Sequence, residues 1–532
     1  SASLAGAAYY AAVTAVVLVL PLLAVRVLGV SLSAGLGFGV AAALCARFWA
    51  VTTISSPSIT SSCIAKSCSV VRPVLICTSS TRMRLKRPLR RDVLAQAAAL
   101  LADRHDALRL RFIPPSDGDP GVWRQKVSDP GEAPVVSHVD LSALPPARRP
   151  GEQERLAAGL QGRLDLRHGP ITRLVRLTGF AEASDRLLWV IHHLAVDGVS
   201  WRVLLEELEG VCGELSTGLP VRLPPPTTPF GRWARAVRQE AASDRTLEEV
   251  RFWIERLRRG TGPLPVDFSG GDRTVASAAS VTVELPEKES RELVQELPAA
   301  AQVHVPELLI SALARALTRW TGSPRVLVDV EGHGRNELPG LDDSRTVGWL
   351  TVLYPVLLDL EGADGDLRKV LKAVKEQVRS TPRHGLGFGL LRYLEDGDAG
   401  SELRRLDGAQ VLFNYLGRLD LPLSGSTLFA PAPGSSGPPR GPRIRRPHLL
   451  EIHGGVRNGC LRFEWSYGTE SHRRETVDRL AGSFREALLD ILHTLRSTEE
   501  SLLTPSDVPE ARINQTELDK LMGQIRKAGI PS

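Results

Sequence analysis

The stretch Ile191-His192-His193-Leu194-Ala195-Val196-Asp197-Gly198-Val199-Ser200-Trp201 sets two histidines, an aspartate and a glycine at fixed spacing where a strand gives way to a helix. Upstream, Arg186-Leu187-Leu188-Trp189-Val190-Ile191 is an apolar run of strand type, and downstream Trp201, Leu204, Leu205, Leu208, Val211 and Leu215 recur at helical spacing. Asp197-Gly198 supplies the turn between them. A lone histidine at a strand end is ordinarily a packed or hydrogen-bonded residue, but here there are two. Successive strand residues point to opposite faces, so one imidazole can face a cleft while the other faces the core. Asp197 then either orients an imidazole or holds the turn through an ion pair. An imidazole titrates near neutral pH, which suits proton transfer in either direction.

Outward from this motif, from about residue 88, amphipathic helices alternate with strand-like runs, an α/β pattern. Leu94, Ala98, Leu101 and Ala102 mark a helix ending near His105-Asp106, followed by the short run 108–112. The Pro-rich stretch 223–229 reads as a connector, and 532 residues suit two large lobes of roughly 200 residues each. The second lobe is expected to open with a strand at 278–285 and a helix at 305–320. A Pro- and Gly-rich loop, 430–447, then precedes a hairpin-like pair at 448–456 and 459–467 and a last amphipathic helix at 476–495. The expected division is a first lobe at 86–260, a second at 261–498 and a linker at 499–532. There is no internal repeat, and Gly332-His333-Gly334 fits no dinucleotide or nucleotide fingerprint.

Residues 1–85 read differently. They carry six basic residues and no acidic one, the first carboxylate being Asp92. The formal charge of +6 comes from this segment, because the other 60 basic residues match the 60 acidic ones, so charge makes no case for nucleic-acid binding. Four of the six cysteines, Cys45, Cys63, Cys68 and Cys77, fall here without CxxC spacing or a histidine beside them, which argues against a metal site. Only Cys212 and Cys460 lie beyond, which points to a reducing, cytoplasmic compartment without a disulfide framework. The uncharged stretches 1–25 and 27–46 are each long enough to span a bilayer, so a membrane is a partner if residues 1–46 are a genuine anchor. The lack of acids, the Ser/Thr/Cys-rich continuation and the serine at position 1 favour a misassigned upstream extension over an anchor, with Met83 as an internal start. The basic run 82–91 reads as a solvated approach to the first helix.

A second constellation follows the strand-like run Val326-Leu327-Val328-Asp329-Val330, namely Glu331-Gly332-His333-Gly334-Arg335-Asn336-Glu337. Glycines on both sides of a histidine permit a sharp turn or a close backbone approach. Glu331, at the end of an apolar strand, is placed where desolvation raises a carboxyl into the range useful for acid or base catalysis. Soon after come Arg345-Thr346-Val347-Gly348-Trp349-Leu350-Thr351-Val352-Leu353-Tyr354-Pro355 and Phe413-Asn414-Tyr415-Leu416-Gly417.

With these motifs the sequence, over about residues 88–510, resembles the epimerization domain of nonribosomal peptide synthetases, a branch of the condensation-domain superfamily. The double-histidine motif marks the superfamily, whereas the segments at 331–335 and 414–417 select the epimerizing branch. Weaker echoes are Thr227-Thr228-Pro229-Phe230, Thr274-Val275-Ala276-Ser277 and Trp465-Ser466-Tyr467, and the tail from Leu503 to Leu518 looks like the linker that leaves such domains towards a next module. The resemblance implies a two-lobed, chloramphenicol-acetyltransferase-like α/β pseudo-dimer with an active-site tunnel between the lobes. It implies inversion, L to D, at the α-carbon of an aminoacyl or peptidyl thioester, carried on the phosphopantetheine of an upstream peptidyl carrier domain. Adenylation and condensation domains of the same assembly line would be the other partners, with no metal and no bound cofactor. His193 and Glu331 would flank the reacting carbon, either one serving as base. Tyr415 or Asn414 would stabilise the enolate, Asp197 and Arg335 would form an ion pair across the lobe junction, and His192, Gly198 and Trp201 would support them. A condensing domain, or a non-catalytic recruitment domain of the same fold, are the alternatives. One departure is expected to matter: the family opens with a Thr-Pro-Ile-Gln-type segment and a first strand, and here those positions fall in the anomalous first segment.

Overall fold

The computed structural model describes residues 78–527 apart from 116–122, 132–133, 181–184, 260–261, 364, 420–424, 434 and 498–501. The described residues 78–113 and 125–527 belong to one compact unit, which contains both lobes and the site discussed below. The expected membrane spans and the early cysteines lie outside the described residues. Among the described residues no single helix is long and apolar enough to cross a membrane.

In chain order the strands are β1 (Thr78–Leu85), β2 (Leu110–Ile113), β3 (Arg124–Val127), β4 (Val135–Asp140), β5 (Thr172–Thr178), β6 (Arg186–His192), β7 (Ala278–Glu284), β8 (Arg325–Gly332), β9 (Val352–Asp359), β10 (Val411–Arg418), β11 (Phe429–Pro431), β12 (Leu450–Arg457) and β13 (Cys460–Gly468). The helices that matter here are α1 (Arg91–Arg104), α2 (Arg149–Gln161), α3 (Gly198–Thr217), α4 (Phe230–Ala241), α5 (Val250–Arg258), α6 (Val305–Thr321), α7 (Leu367–Arg379), α8 (Arg474–Arg496) and α9 (Gln515–Lys527).

The first lobe is built on a sheet of order β11-β1-β6-β5-β4. Along β6 the alternation sorts side chains between two layers: Leu188 and Val190 meet Ala157 of α2, while Trp189 stands edge-on against Trp201 of α3 at 5.6 Å between ring centroids. Strand β1 corrects the expectation that the lobe lacks its beginning. Seven of the last eight residues of the segment expected to be foreign pair with β6, from Thr78, opposite His192, to Arg84, opposite Arg186. Met83 and Leu85 are buried in the core, and the Trp201 indole donates to Ser79 Oγ at 2.6 Å. The polar, basic look of Ser-Ser-Thr-Arg-Met-Arg hides an interior strand in which only Met83 and Leu85 are apolar. Met83 therefore stands inside a strand rather than ahead of it.

The second lobe carries a sheet of order β7-β13-β12-β10-β8-β9, with β10 parallel to both β8 and β12. One face is apolar: Val328, Val330, Val411, Phe413, Ile452, Phe463, Trp465 and Val281 join α6 and α8 in the main core. Phe463 bridges Phe413 and Phe484 at ring distances of 5.7 and 5.2 Å. The expected hairpin is β12–β13, closed at Arg457 and Cys460 by Asn458-Gly459, both at positive φ (50° and 80°) as a two-residue hairpin turn requires.

The lobe boundaries shift from those expected. Trp253 and Leu257 of α5 are buried in the second lobe's core, so that lobe begins before residue 260. The loop expected at 430–447 contributes β11, which pairs with β1 and so crosses into the first lobe's sheet. The expected linker is in part built in: Leu502 and Thr504 are buried, and the fully buried Lys375 donates to Leu502 O at 3.0 Å and to Asp507 at 2.6 Å.

Candidate functional site

Strand β6 ends at His192, and His193 opens a single 3-10 turn, His193–Ala195, before α3. The two histidines separate as expected, though by a turn rather than by strand alternation. His192 is buried, its Nδ1 accepting from Leu194 N at 3.2 Å. His193 is half-buried against Trp349, with ring centroids 5.0 Å apart. Its Nδ1 is enclosed, with no hydrogen-bond partner among the described residues apart from its own carbonyl, and burial pushes the imidazole below its usual range. A neutral imidazole is therefore the resting form near pH 7.

Asp197 proves to be a structural hub. It is the N-cap of α3, Oδ1 accepting from Ser200 N at 2.8 Å and from the Ser200 hydroxyl at 2.7 Å. Arg335 donates to it in bidentate fashion at 2.7 and 3.0 Å, and Leu350 N donates to Oδ2 at 3.2 Å. Both ion-pair partners are almost fully enclosed. The alternatives for Asp197 resolve to the ion pair. Asp197 follows His193 by four residues and Arg335 follows Glu331 by four, so the pair clamps the chain just beyond each candidate group. Gly198 carries no such demand: it is exposed, and a Cβ there would meet nothing within 4 Å.

Glu331 ends β8 on the polar face of the second sheet. Register explains its surroundings: Asp329 lies opposite Leu412, Asn414 opposite His453, and His453 opposite Glu464, so Asp329, Glu331, Asn414, Glu451 and His453 share one face while their neighbours fill the core. The Asn414 amide donates to Glu331 Oε2. Burial pushes the Glu331 carboxyl up to about 7, against the opposing pull of His448 and the Asn414 hydrogen bond. Burial likewise raises the Tyr415 hydroxyl and lowers His453. His448 Nε2 meets Asp329 Oδ2 at 2.8 Å, and Arg440 donates to the buried Glu451 at 2.5 Å. Asp329, His448, Glu451, His453 and Trp349 were not singled out from the sequence. Period-two counting from Glu331 and Asn414 would have found the strand residues, but the strand order that makes them neighbours is not local information.

The segment 348–352 joins the two groups. Trp349 touches His193, Gly348 O accepts from Ser200 Oγ at 2.9 Å, and the backbone of Gly334, at φ 65°, lies so close to the Leu350 carbonyl that a Cβ would collide with it. Each lobe thus delivers one titratable group to a shared seam, a neutral imidazole and a carboxyl poised near neutrality, while Tyr415 follows Asn414 on β10 and packs against the second lobe's core. Such a set suits the removal and return of protons. Among the described residues no group of three His, Cys, Asp or Glu side chains is placed to hold a metal ion.

This two-lobed architecture, with a double histidine at the seam, is of the condensation type. The chain belongs to the condensation-domain family, whose profile matches residues 76–513. It is 38% identical over 454 residues to a linear gramicidin synthase chain of Brevibacillus parabrevis, covering 84% of this chain and 6% of that protein. It is 40% identical over 436 residues to a chondramide synthase of Chondromyces crocatus, covering 81% of this chain and 11% of that one. The chain thus spans a small part of these curated relatives. Among solved structures, the epimerization domain from the third module of tyrocidine synthetase B aligns with a TM-score of 0.72 at 28% identity, covering 79% of this chain and 93% of that domain.

Proposed function

We propose that this domain inverts, L to D, the α-carbon of an aminoacyl or peptidyl thioester presented on the phosphopantetheine arm of a carrier domain within a nonribosomal peptide synthetase. The observation that carries the proposal is Glu331: a carboxyl brought to about 7, held by Asn414 on the lobe facing His193. Amide formation by the double histidine alone has no need of such a group. A thioester acidifies the neighbouring α-hydrogen, yet its removal needs a placed base and its return on the other face a placed acid, each contributing typically ~10²–10⁴-fold. One of His193 and Glu331 takes the α-proton as the C–H electron pair moves into the enolate. The other delivers a proton to the opposite face, so substrate and product have the same atoms. The Asn414 amide, which already donates to Glu331, or the Tyr415 hydroxyl would donate to the enolate oxygen. The likeness to an epimerization domain and to peptide synthases supports this chemistry and supports carrier, adenylation and condensation domains as partners.

The test loads a partner carrier domain with an L-aminoacyl thioester and follows the D/L ratio. The wild-type domain should bring the ratio towards a mixture, and Glu331→Gln should slow that by ~10²-fold or more. A condensing domain would leave the thioester in the L form and, offered an acceptor amine, would form an amide that Glu331→Gln leaves intact. That result would overturn the proposal.

A further inference from the structure

At the seam of the two lobes, away from the titratable groups, lies a charge imbalance that the chemistry above does not use. Arg82 of β1 is half-buried, and its Nη1 is shut off from solvent without a hydrogen-bond partner among the described residues. Such a donor normally finds an acceptor, since an enclosed and unsatisfied one costs about 1–3 kcal/mol and more when charged. Two further guanidinium groups, Arg457 from the end of β12 and Arg186 from the start of β6, are near enough to act on Arg82 as like charges, and the opposing carboxylate is that of the exposed Glu154. Arg186 is occupied, donating to Gln153 at 2.9 Å and lying over the Phe180 ring. Arg457 is exposed, and Arg418 ends the neighbouring strand beside it, in register with Val456. An arginine from each lobe thus contributes positive charge to the same region, one of them with an enclosed, unused donor.

Position along the strands indicates what they face. Arg82 is four residues from Thr78, which pairs with His192, and Arg457 is four residues from His453, which pairs with Asn414. At about 3.3 Å per residue, each arginine lies ~13 Å along its strand from the level of the candidate site. An extended phosphopantetheine arm has about as many backbone bonds between its phosphorus and its sulfur as four residues of peptide. We propose that Arg82 and Arg457, one from each lobe, form an anion seat for the phosphate of the phosphopantetheine arm, setting the depth at which the thioester reaches His193 and Glu331. The ligand assignment rests on the proposed function, whereas the existence of the seat does not.

Calorimetric titration of the whole chain with 4′-phosphopantetheine, with pantetheine and with inorganic phosphate separates the possibilities without relying on turnover. The phosphorylated arm should bind about ten-fold or more tightly than pantetheine, a ratio typical of one charge-assisted contact. Arg82→Gln and Arg457→Gln should each bring the two ligands towards parity, and Arg82→Lys should keep part of the difference. Should Arg82→Gln fail to fold, the exposed Arg457 carries the test. Equal binding of phosphorylated and plain pantetheine by the wild-type chain would overturn the seat, as would a preference that survives both substitutions. Inorganic phosphate binding as tightly as the phosphorylated arm would show a site for a free anion and overturn the ligand assignment. A phosphate preference in a chain that leaves thioesters in the L form would retain the seat and remove the epimerase.

Discussion

Glu331 carries an energetic cost as well as a role. Its carboxyl, raised by burial from 4.5 to about 7, is more protonated in the folded chain than in the unfolded one between those values. It therefore contributes stability that is present below pH 4.5 and is lost as the pH rises through 7, the reverse of the usual acidic residue. Glu331→Gln should consequently raise the melting temperature at pH 8, by about 1–3 kcal/mol of stability, with the advantage disappearing below pH 5. Thermal denaturation at both pH values checks this, and a variant less stable than wild type at pH 8 would show that the carboxylate is held favourably rather than strained. Activity should move the other way, since a group that is both base and acid in alternate directions works best near its own midpoint, giving a rate profile centred near neutral pH. The residues legible from the sequence at this scale were those whose chemistry is unusual for their position. His453 lies in β12 and His448 just before it, in a stretch that reads as an ordinary hairpin, so nothing local marks them.

At the scale of elements, two contacts hold the seam. The buried pair Asp197–Arg335 joins the cap of α3 to the turn after β8. Removing one partner, as in Arg335→Ala, strands an enclosed charge and should cost about 3–5 kcal/mol in chemical denaturation. A loss under about 1 kcal/mol would mean that water reaches the carboxylate. The second contact is backbone on backbone: Gly334, at φ 65° and against the Leu350 carbonyl, admits no side chain. Gly334→Ala should destabilise by roughly 2–3 kcal/mol and displace Glu331, three residues away, so the D/L rate should fall more than stability alone explains. The glycines flanking His333 were readable as a close approach, though not what they approach. Elements with strong periodicity, such as α6 and α8, were predicted to within a few residues of their observed ends because one apolar stripe fixes them. Strand β1 escapes a reading of the sequence because six of its eight residues are polar and its neighbours in space, β6 and β11, are more than a hundred and more than three hundred residues away.

Across the molecule, the lobes are joined by more than the connector at 223–229. The segment from Ser426 to Pro439 leaves the second lobe and lies along β1, with Lys86 N donating to Leu428 O at 2.9 Å and Thr78 N to Pro439 O at 2.8 Å. Glu209 of α3 fastens its start, one carboxylate oxygen accepting from Thr427 N at 2.6 Å, the Thr427 hydroxyl at 2.9 Å and Leu428 N at 3.1 Å. These bonds hold the Glu209 carboxyl below its usual range despite burial. Glu209→Ala should loosen the strap, and limited proteolysis should cut within residues 426–440 several-fold faster than in wild type, while the core fragments persist. An unchanged cleavage pattern would place the restraint in the β1–β11 pairing instead. This return of the chain is what composition could not convey: a Pro- and Gly-rich stretch reads as a loop, and only the three-dimensional course shows it completing the other lobe's sheet. Both lobes then meet on one seam, and in the proposed epimerization His193 and Glu331 would reach one carbon from its two sides. Inversion of that carbon requires the α-hydrogen to leave and a solvent-exchangeable proton to enter. The direct measurement is deuterium incorporation at the α-carbon of a carrier-bound L-aminoacyl thioester in heavy water, read by mass spectrometry. Deuterium should enter the D product and the recovered L substrate with the wild-type chain and not with Glu331→Gln. An α-carbon that keeps its hydrogen at the rate of the carrier alone would contradict the proposed epimerization.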